Sequence, residues 1–331
     1  MSTVLVTGAT GFLGSSLTRR LLDEGFRVRI LRRPTSRLDL LGDAARRVEH
    51  IVGEIDDAIA VDDAAAGIDR IFPAAACVGF GGGRHIDRLM RVNVDGTATV
   101  VNAALKHDVD RLLHVSSMAA FGRPDSSDAL IDERTEWQRS KANSAYAHSK
   151  YLAELEVRRG IAEGLNAVII NPALIFGTGR QGENTRRIVD RVRQERLPAV
   201  PTGGTNVVDV RDVVRGALLA MECAEVGERY FLGSENLSWE AIIDELCAAF
   251  GVSTPRFRLH AKPAMILAYL SEGFSLVTGT EPLLTRETAR TISRHYRYDN
   301  TKAGEVLDWH PRPFSETARH LADSVEDSPG S

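Results

Sequence analysis

Ser117, Tyr146 and Lys150 are the residues of this chain whose types and spacing could carry a reaction. Ser117 follows a strand-like run from Arg111 to Val115, and Tyr146 and Lys150 stand four residues apart in AYAHSKYLAELEV. On a helix that step puts both side chains on one face. Reducing a ketone requires a proton donor beside the carbonyl oxygen. A phenol, with an ordinary pKa of about 10, exchanges a proton at neutral pH only where a cation stabilises the phenolate. Lys150 would be that cation, and Ser117 would hydrogen-bond the substrate oxygen. Tyr151 has no lysine four residues on and is expected only to pack.

A second reactant must be brought to these groups, and the N-terminus carries the pattern of a nucleotide site. Val4 to Thr7 reads as a buried strand, Gly8, Gly11 and Gly14 follow, and Phe12, Leu13, Leu17, Leu21 and Leu22 recur at helical spacing. One glycine lets the chain reverse, one lets backbone N–H groups approach a pyrophosphate, and one lets the helix pack against the strand. The phosphate would then lie at the helix N-terminus. Arg27 to Leu31 reads as a second strand, and Arg32 and Arg33 stand at its end with Arg37 close behind. An NAD site places an acid there for the ribose 2′-hydroxyl. Guanidinium groups pair instead with a 2′-phosphate, so NADP (NADPH) is the expected cofactor.

The run T-G-A-T-G-F-L-G, with Ser117, Tyr146 and Lys150 after it in that order, resembles the extended short-chain dehydrogenase/reductase superfamily of the NAD-dependent epimerase/dehydratase type. With the arginine at the second strand end, SSMAAFG and NPALIFGTG, nearly the whole chain is most similar to the dihydroflavonol-4-reductase-like branch. That branch also holds 3β-hydroxysteroid dehydrogenase-like and hopanoid-associated sugar epimerase-like members. The resemblance implies an α/β fold: a Rossmann doubly wound parallel sheet with a smaller, intertwined C-terminal α/β substrate lobe. Residues 1–175 would form the NADP-binding domain, to which segments around 205–222 return, and 176–331 would be mainly the substrate lobe. The cofactor would be held by Gly8, Thr10, Gly11, Phe12, Leu13 and Gly14 at the turn, and by Arg32, Arg33 and Arg37 at the 2′-phosphate. Glu54 and Ile55 would lie by the adenine; Ala74, Ala75, Ala76 and Val115 would flank the cofactor at strand ends. Tyr146, Lys150, Pro172, Ala173 and Ile175 would meet the nicotinamide end, Lys150 through the ribose hydroxyls. Asn93, in V-N-V-D-G-T on a helix expected from His85 to His107, is implied as a structural member of the catalytic set, holding active-site backbone.

Further strands are expected at Val48 to Val52, Arg70 to Ala76, Ala167 to Ile170 and Arg229 to Leu232. Pro73 lacks a ladder donor and is expected at a strand end. Gly79 to Gly83 reads equally as a surface loop or a substrate lid. Helices are expected over Asp209 to Met221, from an N-cap at Ser238 through Phe250, and over Pro311 to Glu326. Ala264 to Val277 is an apolar helix that either packs in a core or walls an apolar substrate pocket.

Within the superfamily, dehydratases carry an acid just after the catalytic hydroxyl residue, whereas Met118, Ala119 and Ala120 follow Ser117. Nucleotide-sugar epimerases use an arginine clamp where this chain has Gly203, Gly204, Thr205 and Asn206. The expected activity is therefore an NADPH-dependent reductase, reversible as an alcohol dehydrogenase, acting on a carbonyl of a bulky apolar small molecule near Met118 and Phe121. A nucleotide-sugar epimerase and a non-catalytic NADP-binding sensor or scaffold are the alternatives. With 331 residues, 43% hydrophobic, 26% charged and a net charge of −4, the chain reads as a globular enzyme with neither nucleic acid nor membrane as partner. Cys77, Cys223 and Cys247 form no C-x-x-C pair, so no metal site and no disulfide framework is expected. The glycine turn begins too early for a signal segment, and the cytoplasm is the expected location. A homodimer is left open.

Overall fold

Short apolar runs alternate with amphipathic helices from the N-terminus onward, and most of these runs become strands of one parallel sheet. The computed structural model describes residues 2–79, 83–123, 130–138, 140, 143–183, 185–278, 289 and 291–326. In chain order the elements are β1 (Thr3–Thr7), α1 (Phe12–Asp23), β2 (Arg27–Arg32), β3 (Glu49–Val52), α2 (Ala58–Ala65), β4 (Arg70–Pro73), α3 (Gly83–Leu89), α4 (Gly96–Lys106) and β5 (Arg111–Val115). There follow β6 (Leu130–Ile131), α5 (Ala145–Ala162), β7 (Ala167–Pro172), β8 (Leu174–Phe176), α6 (Arg186–Arg193), β9 (Val200–Pro201), β10 (Gly204–Asp209), α7 (Val210–Cys223) and β11 (Arg229–Leu232). The rest is β12 (Glu235–Ser238), α8 (Trp239–Phe250), β13 (Arg258–Leu259), α9 (Ala261–Thr278), β14 (Arg297–Tyr298), α10 (Thr301–Leu307) and α11 (Phe314–Glu326).

The large sheet runs β11-β7-β5-β4-β1-β2-β3, with every neighbouring pair parallel. Strand order reverses between β1 and β4, and the crevice beyond their carboxyl ends is where such sheets take ligands. Side chains alternate across the sheet. Val4 and Val6 join α1 and α7 in one core, whereas Leu5 joins α2, α4 and α5 in the other. A smaller sheet, β12-β10-β8, packs with α6, α8 and α11 around Phe176, Val207, Ile242 and Phe314.

Several expectations are corrected. The strand begun at Arg70 ends at Pro73, so Ala74, Ala75 and Ala76 are loop. The helix from His85 to His107 is interrupted: a π turn, Met90–Asp95, separates α3 from α4. Such turns widen the helix at one place, and this one holds the buried Asn93. Of the Gly79 to Gly83 segment, Phe80, Gly81 and Gly82 lie outside the described residues. On α9, Ala264 and Ala268 are buried but Ile266, Leu267 and Leu270 are 62%, 50% and 66% exposed. The core-packing reading holds for the other face, where Ala264 and Ala268 cluster with Ala289, Leu259 and Met265. The side chains from residue 272 onward in α9 are outside the described set.

Candidate active site

The glycine turn is shaped by close backbone approach. Gly8 has φ +71°, and a Cβ there would lie 2.6 Å from the Ala74 carbonyl carbon and oxygen. A Cβ on Gly14 would lie 2.1 Å from the Gly8 oxygen, which is how α1 can start directly on the turn. Ala74 and Ala75 cross above it, their N–H groups donating to the Thr7 carbonyl (3.2 Å) and hydroxyl (3.3 Å). Helix α1 has no side-chain cap at Gly11 and no acid in its first turn. Its leading N–H groups and dipole thus face the crevice in the state that suits a pyrophosphate.

At the end of β2 the three arginines separate. Arg32 Nε donates to His50 Nδ1 at 2.9 Å, Arg33 is exposed, and Arg37 pairs with Asp39 at 3.0 Å. Arg180, which the sequence did not single out, donates to both Asp39 carboxylate oxygens and, at 2.9 Å, to the Thr10 carbonyl. Its hydrogen bonds hold Asp39 down to about 2. This pair ties the loop after β8 to the glycine turn. Gly179 in that loop lies against the Phe12 ring. Glu54 is exposed, and Ile55 packs against Gly96, where a Cβ would meet it at 2.8 Å.

Across the crevice, Ser117 caps the turn Met118–Phe121, its Oγ accepting from the Ala119 N–H at 3.2 Å. Ser144 starts α5, accepting from the Ala147 N–H at 2.9 Å, and so sets Tyr146 in the first turn. The structure brings Ser117 and Tyr146 to each other and sets Lys150 one helical turn beyond Tyr146 on α5. Burial raises the Tyr146 phenol above its ordinary value, a hydrogen bond with Ser117 opposes this, and the Cys77 thiol adds to the rise. Lys150 is buried and donates to the Val115 carbonyl at 2.9 Å. Burial pulls its ammonium down to about 8, against the upward pull of Glu154.

Asn93 clamps the chain after β4: its Oδ1 accepts from the Cys77 N–H (2.7 Å) and its Nδ2 donates to the Cys77 carbonyl and to Ser149 Oγ, both at 2.9 Å. Pro172 ends β7, buried Ala173 donates to the Leu232 carbonyl at 3.0 Å, and Ile175 pairs with Val208 in the small sheet.

Sequence reasoning missed Glu154, which is 1% exposed and accepts from Ser116 Oγ at 2.5 Å and Asn171 Nδ2 at 2.6 Å. Arg229 stands 3.4 Å from its other oxygen. A signal was present: Tyr146, Lys150 and Glu154 repeat at four-residue steps. One residue expected near the substrate is placed elsewhere. Phe121 is fully buried, 6.0 Å from the Phe231 ring and beneath the Arg229 guanidinium, because the cap at Ser117 turns it into the core. Thr205 and Asn206 are buried within β10. Tyr151 stacks on Trp137 at 4.6 Å. Among the described residues no His/Cys/Asp/Glu group could hold a metal, and no helix is long and apolar enough to cross a membrane.

The model of the NAD dependent epimerase/dehydratase family matches residues 4–233. The chain is 32% identical over 326 residues to the Synechocystis protein "Putative dihydroflavonol 4-reductase", covering 97% of this chain and 92% of that one. It is 28% identical to the "3 beta-hydroxysteroid dehydrogenase/Delta 5-->4-isomerase" of Mycobacterium tuberculosis, covering 87% and 88%. The crystal structure of gox2253 superposes with a TM-score of 0.83 at 31% identity, covering 99% of this chain and 98% of that one.

Proposed function

Because the chain belongs to the NAD dependent epimerase/dehydratase family, in the branch of its dihydroflavonol reductase and hydroxysteroid dehydrogenase relatives, we propose that it is an NADPH-dependent reductase. It acts reversibly on a carbonyl group of a bulky, largely apolar small molecule. The observation that carries this reading is the trio itself: Ser117 close enough to Tyr146 to oppose the rise of its phenol, with a buried ammonium one helical turn along α5. Bound nicotinamide would supply the hydride. Ser117 orients the substrate oxygen, Tyr146 gives it a proton, and the charge of Lys150 stabilises the phenolate left behind.

The turn Gly8, Thr10, Gly11, Phe12, Leu13 and Gly14 fits the pyrophosphate, and Ala74, Ala75, Ala76 and Val115 flank the cofactor. Exposed Arg33 fits the 2′-phosphate most directly; Arg32 and Arg37 must exchange His50 and Asp39 for it. The contact of α7 with α1 supports returning 205–222 to the cofactor domain of residues 1–175, leaving 176–331 mainly to the substrate. The cytoplasm is the proposed location.

The test is NADPH consumption with a panel of bulky aromatic and alicyclic ketones, run beside UDP-glucose and UDP-galactose. Turnover of ketones supports the reductase. Epimerised sugar without net NADPH consumption overturns it, as does NADPH binding with no turnover.

A further inference from the structure

Lys150 is an ammonium group placed almost wholly out of water, and its hydrogen bond among the described residues goes to a neutral acceptor, the Val115 carbonyl. A buried cation of that kind loses its proton unless an opposite charge stands near it. Tyr146 and Glu154 lie one turn either side on α5. His114 approaches from β5 with both ring nitrogens unpartnered, and burial holds it well below its ordinary value, so it adds no charge where Lys150 titrates. Cys77 faces Tyr146 from the loop after β4. Arg229, on β11, reaches Glu154 from the far side.

Glu154 is held by Ser116 Oγ, Asn171 Nδ2 and Arg229, all donors, the partner set a carboxylate takes. Asn171 Nδ2 also donates to the Ser117 carbonyl at 3.0 Å. One carboxylate therefore joins the helix that bears Tyr146 and Lys150 to the strand end that bears Ser117.

We propose that Glu154 is the positioning residue of the site: the buried counter-charge that keeps Lys150 an ammonium and locks α5 to the ends of β5 and β7. Without its charge the Lys150 midpoint, held at about 8 with Glu154 present, falls further, and the proton transfer loses part of the cation that supports it. The effect on turnover rests on the reductase reading above; the ionisation of Lys150 does not.

The experiment is direct titration of Lys150 by NMR in protein labelled at the lysine ε-carbon, which is tractable because the chain has only five lysines. Glu154→Gln is expected to lower the Lys150 midpoint by about one unit or more, the size of shift that a neighbouring opposite charge produces. In turnover, the alkaline fall of kcat/KM for ketone reduction should move to lower pH by the same amount. A merely structural role would lower kcat/KM equally at every pH. Should Glu154→Gln not fold, Glu154→Asp, which keeps the charge but withdraws it, must lower the midpoint by a smaller step. An unchanged Lys150 midpoint in whichever variant folds overturns the proposal. A shifted midpoint in a protein that reduces no ketone overturns the reductase reading and leaves the role of Glu154 standing.

Discussion

Replacing Lys150 should expose the stability that the site gives up for its chemistry. The Lys150 midpoint falls from 10.5 to about 8 on folding, chiefly through burial. Each unit is worth about 1.36 kcal/mol, so the cost to the folded state at pH 7 is on the order of 3 kcal/mol. The sign follows from proton counting. Between the folded and the unfolded midpoint the unfolded chain holds a proton the folded chain has lost, so stability rises with pH across that window. Below it the cost is constant. Lys150→Met removes the cost, but strips the Val115 carbonyl of its donor, worth about 1–3 kcal/mol. Glu154 keeps its hydrogen bonds to Ser116 and Asn171. The net change at pH 7 is thus a gain of about 1 kcal/mol. Relative to this variant, the wild type should gain about 3 kcal/mol between pH 7 and pH 10.5. Urea unfolding of both proteins across that range, without cofactor, measures it, and alkaline effects from other groups cancel in the difference. A difference that stays flat with pH would refute the reasoning.

Tyr146→Phe keeps the ring and loses only the proton donor; turnover should fall by roughly 10²–10⁴-fold with NADPH affinity within a few-fold of wild type, and steady-state kinetics beside a cofactor titration decides it. Replacing Arg32 and Arg33 by Ala should weaken NADPH binding about ten- to a hundred-fold and leave NADH binding near its wild-type level; an unchanged NADPH preference in titrations would count against the 2′-phosphate assignment. Gly14→Ala brings a methyl within 2.1 Å of the Gly8 oxygen, and the backbone must shift at a cost of about 1–3 kcal/mol, more than the helix gains from alanine. Its thermal midpoint should drop and its NADPH binding should weaken most of all.

The parallel sheet and its order of elements were legible in the sequence because strand and helix periods are local, and Gly8, Gly11 and Gly14 announce a turn in which Gly8 and Gly14 leave no room for a Cβ. Tyr146 and Lys150 were legible for the same reason: four residues on one helix determine their shared face. The π turn that carries Asn93 leaves no such mark, since widening a helix by one residue changes no composition. Nor could the supports of the site be read. Glu154 meets Asn171, Ser116 and Arg229 across separations of 17, 38 and 75 residues, and Arg180 meets Asp39 across 141. Phe121, which looked available to a substrate, is turned inward by the hydroxyl cap just before it. The chain alone shows which groups could react. Which charge lies beside a buried lysine, and so what proton it holds, depends on water being excluded by strands far apart in sequence, and only the folded structure decides that.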